Sequence, residues 1–366
     1  MNSENKMRHN IIVLCCCIVC VIAAAVCLAV SLSAKSKREQ SAVGNRIVAQ
    51  MGDLKVTENQ FKFFAKLILN QEEETVRTLR TSSELSDKDE LKKYTSNFVH
   101  EYLVRVEEAK KQGVTLTRDE LSELEKQFKA DYEENKEIDS GVLNEEDFYL
   151  YYYGITSSEY KEFWKNWYII DKHTNILENN ADLSEEAQKA AFNEYYDYLY
   201  LYIISVIELK VDSNNTKDDL MTKAENIATR LKSGEDFQVL LNENCTNESL
   251  LKEKGVRNFY PINRNNEREI YDFVRASNIG EIGVVATDYK VYVLRLDDVQ
   301  DFEKQKNTDT LKEWTKTFYA NKTVADLVSS SKNNYKIEKA IYDSIDLSVV
   351  LREAYTYWES VWEENK

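Results

Sequence analysis

Proline occurs once in 366 residues and glycine nine times. So few breakers point to long helices and away from a β-sandwich built of short strands and tight turns. Histidine is nearly as scarce: of three, only His100 and His173 lie beyond the first ten residues. Both sit in helical patterns and read as surface or helix-packing residues, which leaves neither a His-dependent triad nor a His-rich metal site. No glycine-rich phosphate loop is present, since Gly280-Glu-Ile-Gly283 is too short for a dinucleotide fingerprint. Positive charge is in deficit: 48 Lys and Arg against 64 Asp and Glu give a net charge of −16. Such a balance opposes nucleic acid as a partner. The acids are scattered, as on a solvated face, and do not single out a glycosidase pair. No cofactor and no metal are expected. Of six cysteines, Cys15, Cys16, Cys17, Cys20 and Cys27 fall in one apolar run, and only Cys245 lies beyond it. No disulfide can therefore form within the bulk of the chain, and Cys245 reads as a packed thiol rather than a nucleophile.

The apolar run is Ile11 to Ser33, without a charge. At helical rise it reaches roughly 34 Å, enough for a hydrocarbon core of about 30 Å. A cleaved signal peptide ending near Ser33 or Ala34 is the other reading. A signal core of about 7–15 residues is shorter than this run, which favours a retained anchor. Either reading exports the rest. Lys6 and Arg8 precede the run while Lys35, Lys37, Arg38 and Arg46 follow it, so charge alone does not orient it.

Residues 1–10 form a short tail, 11–33 the anchor and 34–46 a polar linker. A strand from Arg46 leads to a turn at Met51-Gly52-Asp53 and a helix, with Thr57 as N-cap and Gln60 completing a capping box. Residues 71–90 are polar, as in a loop or frayed helix. Helical spacing covers 90–112 and 117–136, parted by Gly113, with Thr117 and Glu120 as a second capping box. Residues 144–178 are dense in Tyr, Phe and Trp, a pattern of core packing that also suits a groove for apolar peptides. A helix follows at 184–198. Tyr198 to Val211 is rich in β-branched and aromatic residues and reads as a buried strand. Helices at 217–233, 235–243 and near 266–276, a turn at Gly280–Gly283 and a strand from Lys290 to Leu296 complete a compact α+β unit. Residues 305–332 and 347–364 are helical, with a short strand from Tyr335 to Ala340 between them. The fold class is α+β: a helical lobe made of 47–199 and 303–366, with an α+β domain at 200–302 inserted.

The order of these segments resembles the PrsA/SurA-type foldases, in which a helical chaperone lobe surrounds a parvulin (PpiC-type) peptidyl-prolyl isomerase domain. VAQMGDLKVTENQF is similar to the family's opening V-A-x-V-N-G-x-x-I-T-x-x-x-F, and EEAKKQGVTLTRDEL to its A-x-x-x-G-I-x-V-T-D-E-E-V. ATRLKSGEDFQVLLNENC looks like the parvulin helix pair. Asn258-Phe259, Ile279-Gly-Glu-Ile282 and TDYKVYVLRL continue the match to the last parvulin strand.

Residue by residue, the resemblance implies a degenerate active site. The first-strand His position is Val206, beside Ser205; the acid or thiol position is Asn247, with Cys245 two residues earlier. The glycine pair before the aromatic wall Phe259 is reduced to Gly255. The last-strand His position is Tyr292, and the Thr five residues before it is kept as Thr287. The resemblance thus makes Asn247, Thr287 and Tyr292 the catalytic candidates, and Phe259, Ile270, Phe273, Val206 and Cys245 the substrate-binding ones. Rotating an X–Pro bond crosses a barrier of roughly 20 kcal/mol without any covalent step. Hydrogen bonds from Tyr292, Asn247 or Thr287 in an apolar pocket therefore still suit the chemistry.

The function implied is a membrane-anchored extracytoplasmic folding factor acting on unfolded exported polypeptides, with isomerase activity reduced or absent. The alternative is a non-catalytic membrane-anchored scaffold carrying a relic domain. The partners implied are unfolded exported chains, the membrane through the N-terminal helix and, in some arrangements, a second copy in a homodimer.

Overall fold

A computed structural model describes residues 45–71, 87–138, 141–211 and 215–364. The run Ile11–Ser33 and residues 72–86 of the polar segment lie outside them. Among the described residues no helix is long and apolar enough to cross a membrane. The strands are β1 (Ile47–Met51), β2 (Leu54–Thr57), β3 (Glu137–Ile138), β4 (Gly141–Val142), β5 (Leu201–Lys210), β6 (Val256–Phe259), β7 (Ile282–Ala286), β8 (Lys290–Gln300) and β9 (Tyr335–Ile337). The chain is α+β, and its described residues divide into two units, one of those up to Ile176 and from Lys322 on, the other of those within Leu177–Asn321.

In the first unit β1 is the middle of a small antiparallel sheet in the order β2-β1-β9. The turn between β1 and β2 needs Gly52, whose φ is +56° and whose missing Cβ leaves room for Glu107 Oε1. The helix Glu58–Gln71 starts where the sequence placed it. Thr57 N–H donates to Gln60 Oε1 at 2.9 Å, and Gln60 N–H donates to Thr57 Oγ1 at 3.3 Å. The second expected box, Thr117 with Glu120, also closes and starts the helix Arg118–Asn135. β2 was not legible because only Val56 of its four residues is buried, too little for an alternation to register.

The aromatic segment is core. Phe148, Tyr149, Tyr153, Tyr160 and Phe163 are buried, with ring centroids of Tyr149 and Tyr160 4.8 Å apart and those of Tyr153 and Tyr160 4.3 Å apart. Both histidines are packing residues. His100 Nε2 lies 2.9 Å from Ser331 Oγ and its ring stacks on Tyr335, while His173 is 2% exposed and burial holds its pKa down.

Within this core Asp131 accepts a hydrogen bond from Tyr153 Oη at 3.1 Å, and burial raises its pKa from 3.8 to about 6. A raised folded-state pKa gives stability that is complete below the unfolded value and is lost as pH rises through the folded one. The first unit should therefore lose stability between pH 3.8 and about 6 on account of Asp131. Asp131→Asn, which cannot ionise, should raise the melting temperature at pH 7 but not at pH 3.5. Thermal unfolding at the two values checks this, and an equal effect at both would refute it.

The second unit is built on the antiparallel sheet β6-β5-β8-β7. β5 is the expected strand, trimmed to ten residues, and six consecutive positions from Ile204 to Leu209 are buried because helices cover both of its faces. Ile207, Leu209, Val291 and Val293 face Ala224, Ile227 and Leu231 of the helix Lys217–Lys232, together with Leu240 and Leu241. The opposite face carries the site. β7 replaces part of the expected Gly280–Gly283 turn. The turn sits earlier, with Glu281 N–H donating to Asn278 O at 3.0 Å and Gly280 at φ +89°. Likewise β9 stops at Ile337, and the helix Lys339–Ser344 follows where strand was expected.

The segments flanking the sheet also belong to this unit. Phe192, Leu199, Phe302 and Leu311 form a cluster of their own, and Asn307 N–H donates to Gln188 Oε1 at 2.7 Å. The compact unit is accordingly wider at both ends than residues 200–302.

Candidate functional site

Strand alternation puts Tyr202, Ile204 and Val206 of β5 on one face, together with Tyr292, Leu294 and Leu296 of β8. The helix Arg268–Ala276 covers that face with Ile270 and Val274, and Phe259 closes it from the end of β6. Val206, Phe259, Ile270 and Tyr292, four of the residues singled out in the sequence, thus fall in one buried apolar cluster. Phe273 and Cys245 pack against it. Gly283 of β7 is what lets Phe273 seat there: a Cβ on Gly283 would overlap the ring, with Phe273 Cδ2 3.0 Å away. Cys245 caps the helix Phe237–Asn244, and its Sγ lies 3.7 Å from Asn247 O.

Tyr292 is 5% exposed, and its hydroxyl makes no hydrogen bond among the described residues. Burial, with the nearby carboxylates of Glu208 and Glu267, pushes its pKa up to about 12. It is therefore a neutral phenol at physiological pH, with an O–H to give. Asn247 is differently placed. Its Oδ1 accepts from Ser249 N–H at 3.0 Å and Leu250 N–H at 3.2 Å as the N-cap of the helix Glu248–Lys252, and its Nδ2 donates to Glu208 Oε2 at 3.2 Å. Thr287 sits in the turn between β7 and β8. Its N–H donates to Lys290 O at 2.8 Å, and its Oγ1 accepts from Lys290 N–H at 3.1 Å. The hydroxyl is committed to the hairpin, so of the three polar candidates Tyr292 keeps its hydroxyl unpaired, Asn247 keeps one of its two amide N–H donors, and Thr287 keeps none.

Sequence reasoning missed Glu208. It is the cross-strand partner of Tyr292, is 7% exposed, and ties Asn247 to the sheet while Lys290 Nζ sits 3.1 Å from its Oε1. The signal was there: Glu208 is the only acid between Tyr198 and Val211. An acid in a strand buried on both faces must be paired. Arg257 was missed too. It forms a two-pronged ion pair with Glu267, Nη1 to Oε1 at 2.8 Å, and its guanidinium lies 5.8 Å from the Phe259 ring centroid. The cluster therefore has an apolar floor, one free phenolic donor and two charge pairs beside it. Among the described residues no group of His, Cys, Asp and Glu is arranged to hold a metal ion.

Residues 200–300 match the family model of the PPIC-type PPIASE domain. Comparison with curated proteins yields no match. Among solved structures, the chain is similar to the foldase protein PrsA of Streptococcus pneumoniae at 17% identity and a TM-score of 0.30, covering 81% of this chain and 96% of that one. It is similar to the peptidylprolyl isomerase PrsA of Bacillus cereus at 17% identity and a TM-score of 0.29, covering 85% and 99%. A SurA-like chaperone of Campylobacter jejuni is 14% identical, with a TM-score of 0.23 and coverage of 80% and 99%. These three likenesses are distant, whereas the family match spans the whole β5–β8 sheet whose face carries the cluster. Residues 200–300 are therefore a PPIC-type, or parvulin, peptidyl-prolyl isomerase domain.

Proposed function

We propose that this chain is a membrane-anchored extracytoplasmic folding factor that binds unfolded exported polypeptides and rotates their X–Pro bonds in the Val206–Phe259–Ile270–Tyr292 pocket. The observation that carries the reading is the unpaired phenol of Tyr292 over an apolar floor within a PPIC-type domain. A prolyl ring has no donor and prefers such a floor. The twisted amide loses its resonance at the top of the barrier, and a neutral O–H held in a dry site then stabilises the exposed nitrogen or carbonyl. The uncharged state of Tyr292 at neutral pH suits that role. Ile11–Ser33, lying outside the described residues, supplies the anchor in this reading and keeps residues 34–366 beside emerging chains.

A proline-limited refolding reaction tests the proposal. The full chain in detergent should speed the slow phase, and Tyr292→Phe, which removes only the hydroxyl, should cut that gain at least about tenfold, or ~1.4 kcal/mol. A slow phase unchanged by excess protein would refute the isomerase. The second reading, a domain that binds proline-containing segments without turning them over, is favoured by Asn247 and Thr287 being spent on a helix cap and a hairpin. It predicts suppressed aggregation of unfolded chains with no change in the slow phase.

A further inference from the structure

The first unit contains a cavity of about 260 Å³ whose walls include the rings of Phe63, Phe64, Tyr102 and Phe163. The rings form a continuous lining, with centroids 5.1 Å apart for Phe63 and Phe163, 5.2 Å for Phe64 and Tyr102, and 5.6 Å for Tyr102 and Phe163. Two polar groups line the same space. Asn166 is 7% exposed and Tyr102 8%, and Asn166 Nδ2 donates to Tyr102 Oη at 3.2 Å. That bond leaves Asn166 Oδ1 without a donor and the Tyr102 O–H without an acceptor among the described residues. Burial holds the Tyr102 phenol far above its ordinary pKa, so it remains a donor.

Among the charged residues of the lining acids prevail, with Asp53, Glu159 and Glu162 against Lys55 alone; Leu54, Val56, Gln60, Leu103 and Ile155 complete it. Glu159 is occupied by its own helix start, where it accepts from Thr156 N–H at 2.9 Å and Thr156 Oγ1 at 2.8 Å. Asp53 and Glu162 are exposed and make no hydrogen bond or ion pair among the described residues. The cavity thus combines aromatic faces, a carbonyl acceptor without a donor on a largely buried side chain, and two unpaired carboxylates.

Few side chains satisfy all three. An apolar side chain would seal Asn166 Oδ1 away from water unpaired, at a cost. An anion meets excess negative charge. An ammonium fits the charge but is a compact, strongly hydrated point. A guanidinium is planar, weakly hydrated and able to stack on rings, and it spreads five donors over several acceptors at the end of an apolar stem. We propose that this cavity takes the arginine side chain of an extended, unfolded polypeptide, and so gives the helical unit its own selectivity for clients. The inference rests on the folding-factor reading and specifies where and by what chemistry the first unit engages a chain.

The test uses the full chain in neutral detergent and two fluorescently labelled, unstructured ten-residue peptides without proline. They are identical except that one central residue is arginine or its uncharged isostere citrulline. Anisotropy should show the arginine peptide binding at least tenfold more tightly. The double variant Asp53→Asn/Glu162→Gln should bring it to the citrulline level while leaving the circular dichroism unchanged; both residues are exposed and support no core contact. Equal affinity for the two peptides, or a preference that survives the double variant, overturns the arginine site. Suppression of client aggregation, measured in parallel, separates this failure from failure of the broader reading. Absence of both peptide binding and suppression overturns both.

Discussion

Phe259→Ala should cost the second unit about 3–5 kcal/mol, as truncation of fully buried aromatic side chains does. The ring is completely buried, sits opposite Tyr202 in the β5–β6 pairing, lies 6.5 Å from the ring of Tyr271, and has the Arg257 guanidinium beside it. β6 is only four residues long and at the sheet edge, and Phe259 is its one buried side chain. Nothing else on that strand can take over its packing, so the cavity should collapse poorly. Out of a typical total of about 5–15 kcal/mol, such a loss is a large share. Urea unfolding of the full chain, followed by near-ultraviolet dichroism, should show the transition of this unit shifted to lower denaturant. Phe259→Leu should lose much less, because it keeps most of the volume. A loss below about 1 kcal/mol for the alanine variant would mean that the ring does not hold the pocket's wall.

Gly255→Val should be comparably damaging for a different reason. Gly255 has φ +74°, where a β-branched residue is strained, and it leads into β6 with its carbonyl accepting from Val206 N–H at 2.7 Å. A Cβ there would fall 2.7 Å from Phe237 Cε1, 2.9 Å from Phe237 Cζ and 3.1 Å from Leu241 Cδ1. Backbone strain of about 1–3 kcal/mol adds to overpacking of about 1–3 kcal/mol. The damage should also reach the site, since the same backbone aligns β6 with Val206. Gly255→Val should therefore lower both the unfolding midpoint and peptide binding to the isomerase pocket. Gly234→Ala makes the contrast: at φ +91° it is also strained, but its Cβ meets nothing within 4 Å, so it should cost less. Equal losses for the two variants would show that strain alone governs and that the Phe237 contact is immaterial.

Much of this architecture was legible in the residues. β5 announced itself as a long β-branched and aromatic run. The helix Arg118–Asn135 was marked by Thr117 and Glu120, and the members of the apolar cluster by the family pattern. What escaped has physical causes. β6 and β7 are short edge strands with few buried positions, so no period of two could emerge. Thr287 and Asn247 were singled out for the donors they carry. In the fold Thr287 Oγ1 serves a hairpin, while Asn247 Oδ1 accepts at a helix start and its Nδ2 donates to Glu208, a competition that side-chain type alone does not reveal. Glu208 was passed over because its partners, Asn247 and Lys290, are 39 and 82 positions away in the chain.

By itself the sequence determined the chemistry available: too few histidines for a His-dependent site, one long uncharged run at the N-terminus, and a parvulin pattern that keeps Thr287 but has lost its histidines and its acid or thiol. It also determined the local beginnings of helices, because a cap needs only residues three positions apart. The tertiary structure alone decided which polar groups remain free. A polar group is spent or spared according to what the chain folds against it, which is why Tyr292 keeps its hydroxyl unpaired while Asn247 Oδ1 and Thr287 Oγ1 are taken by a helix start and a hairpin.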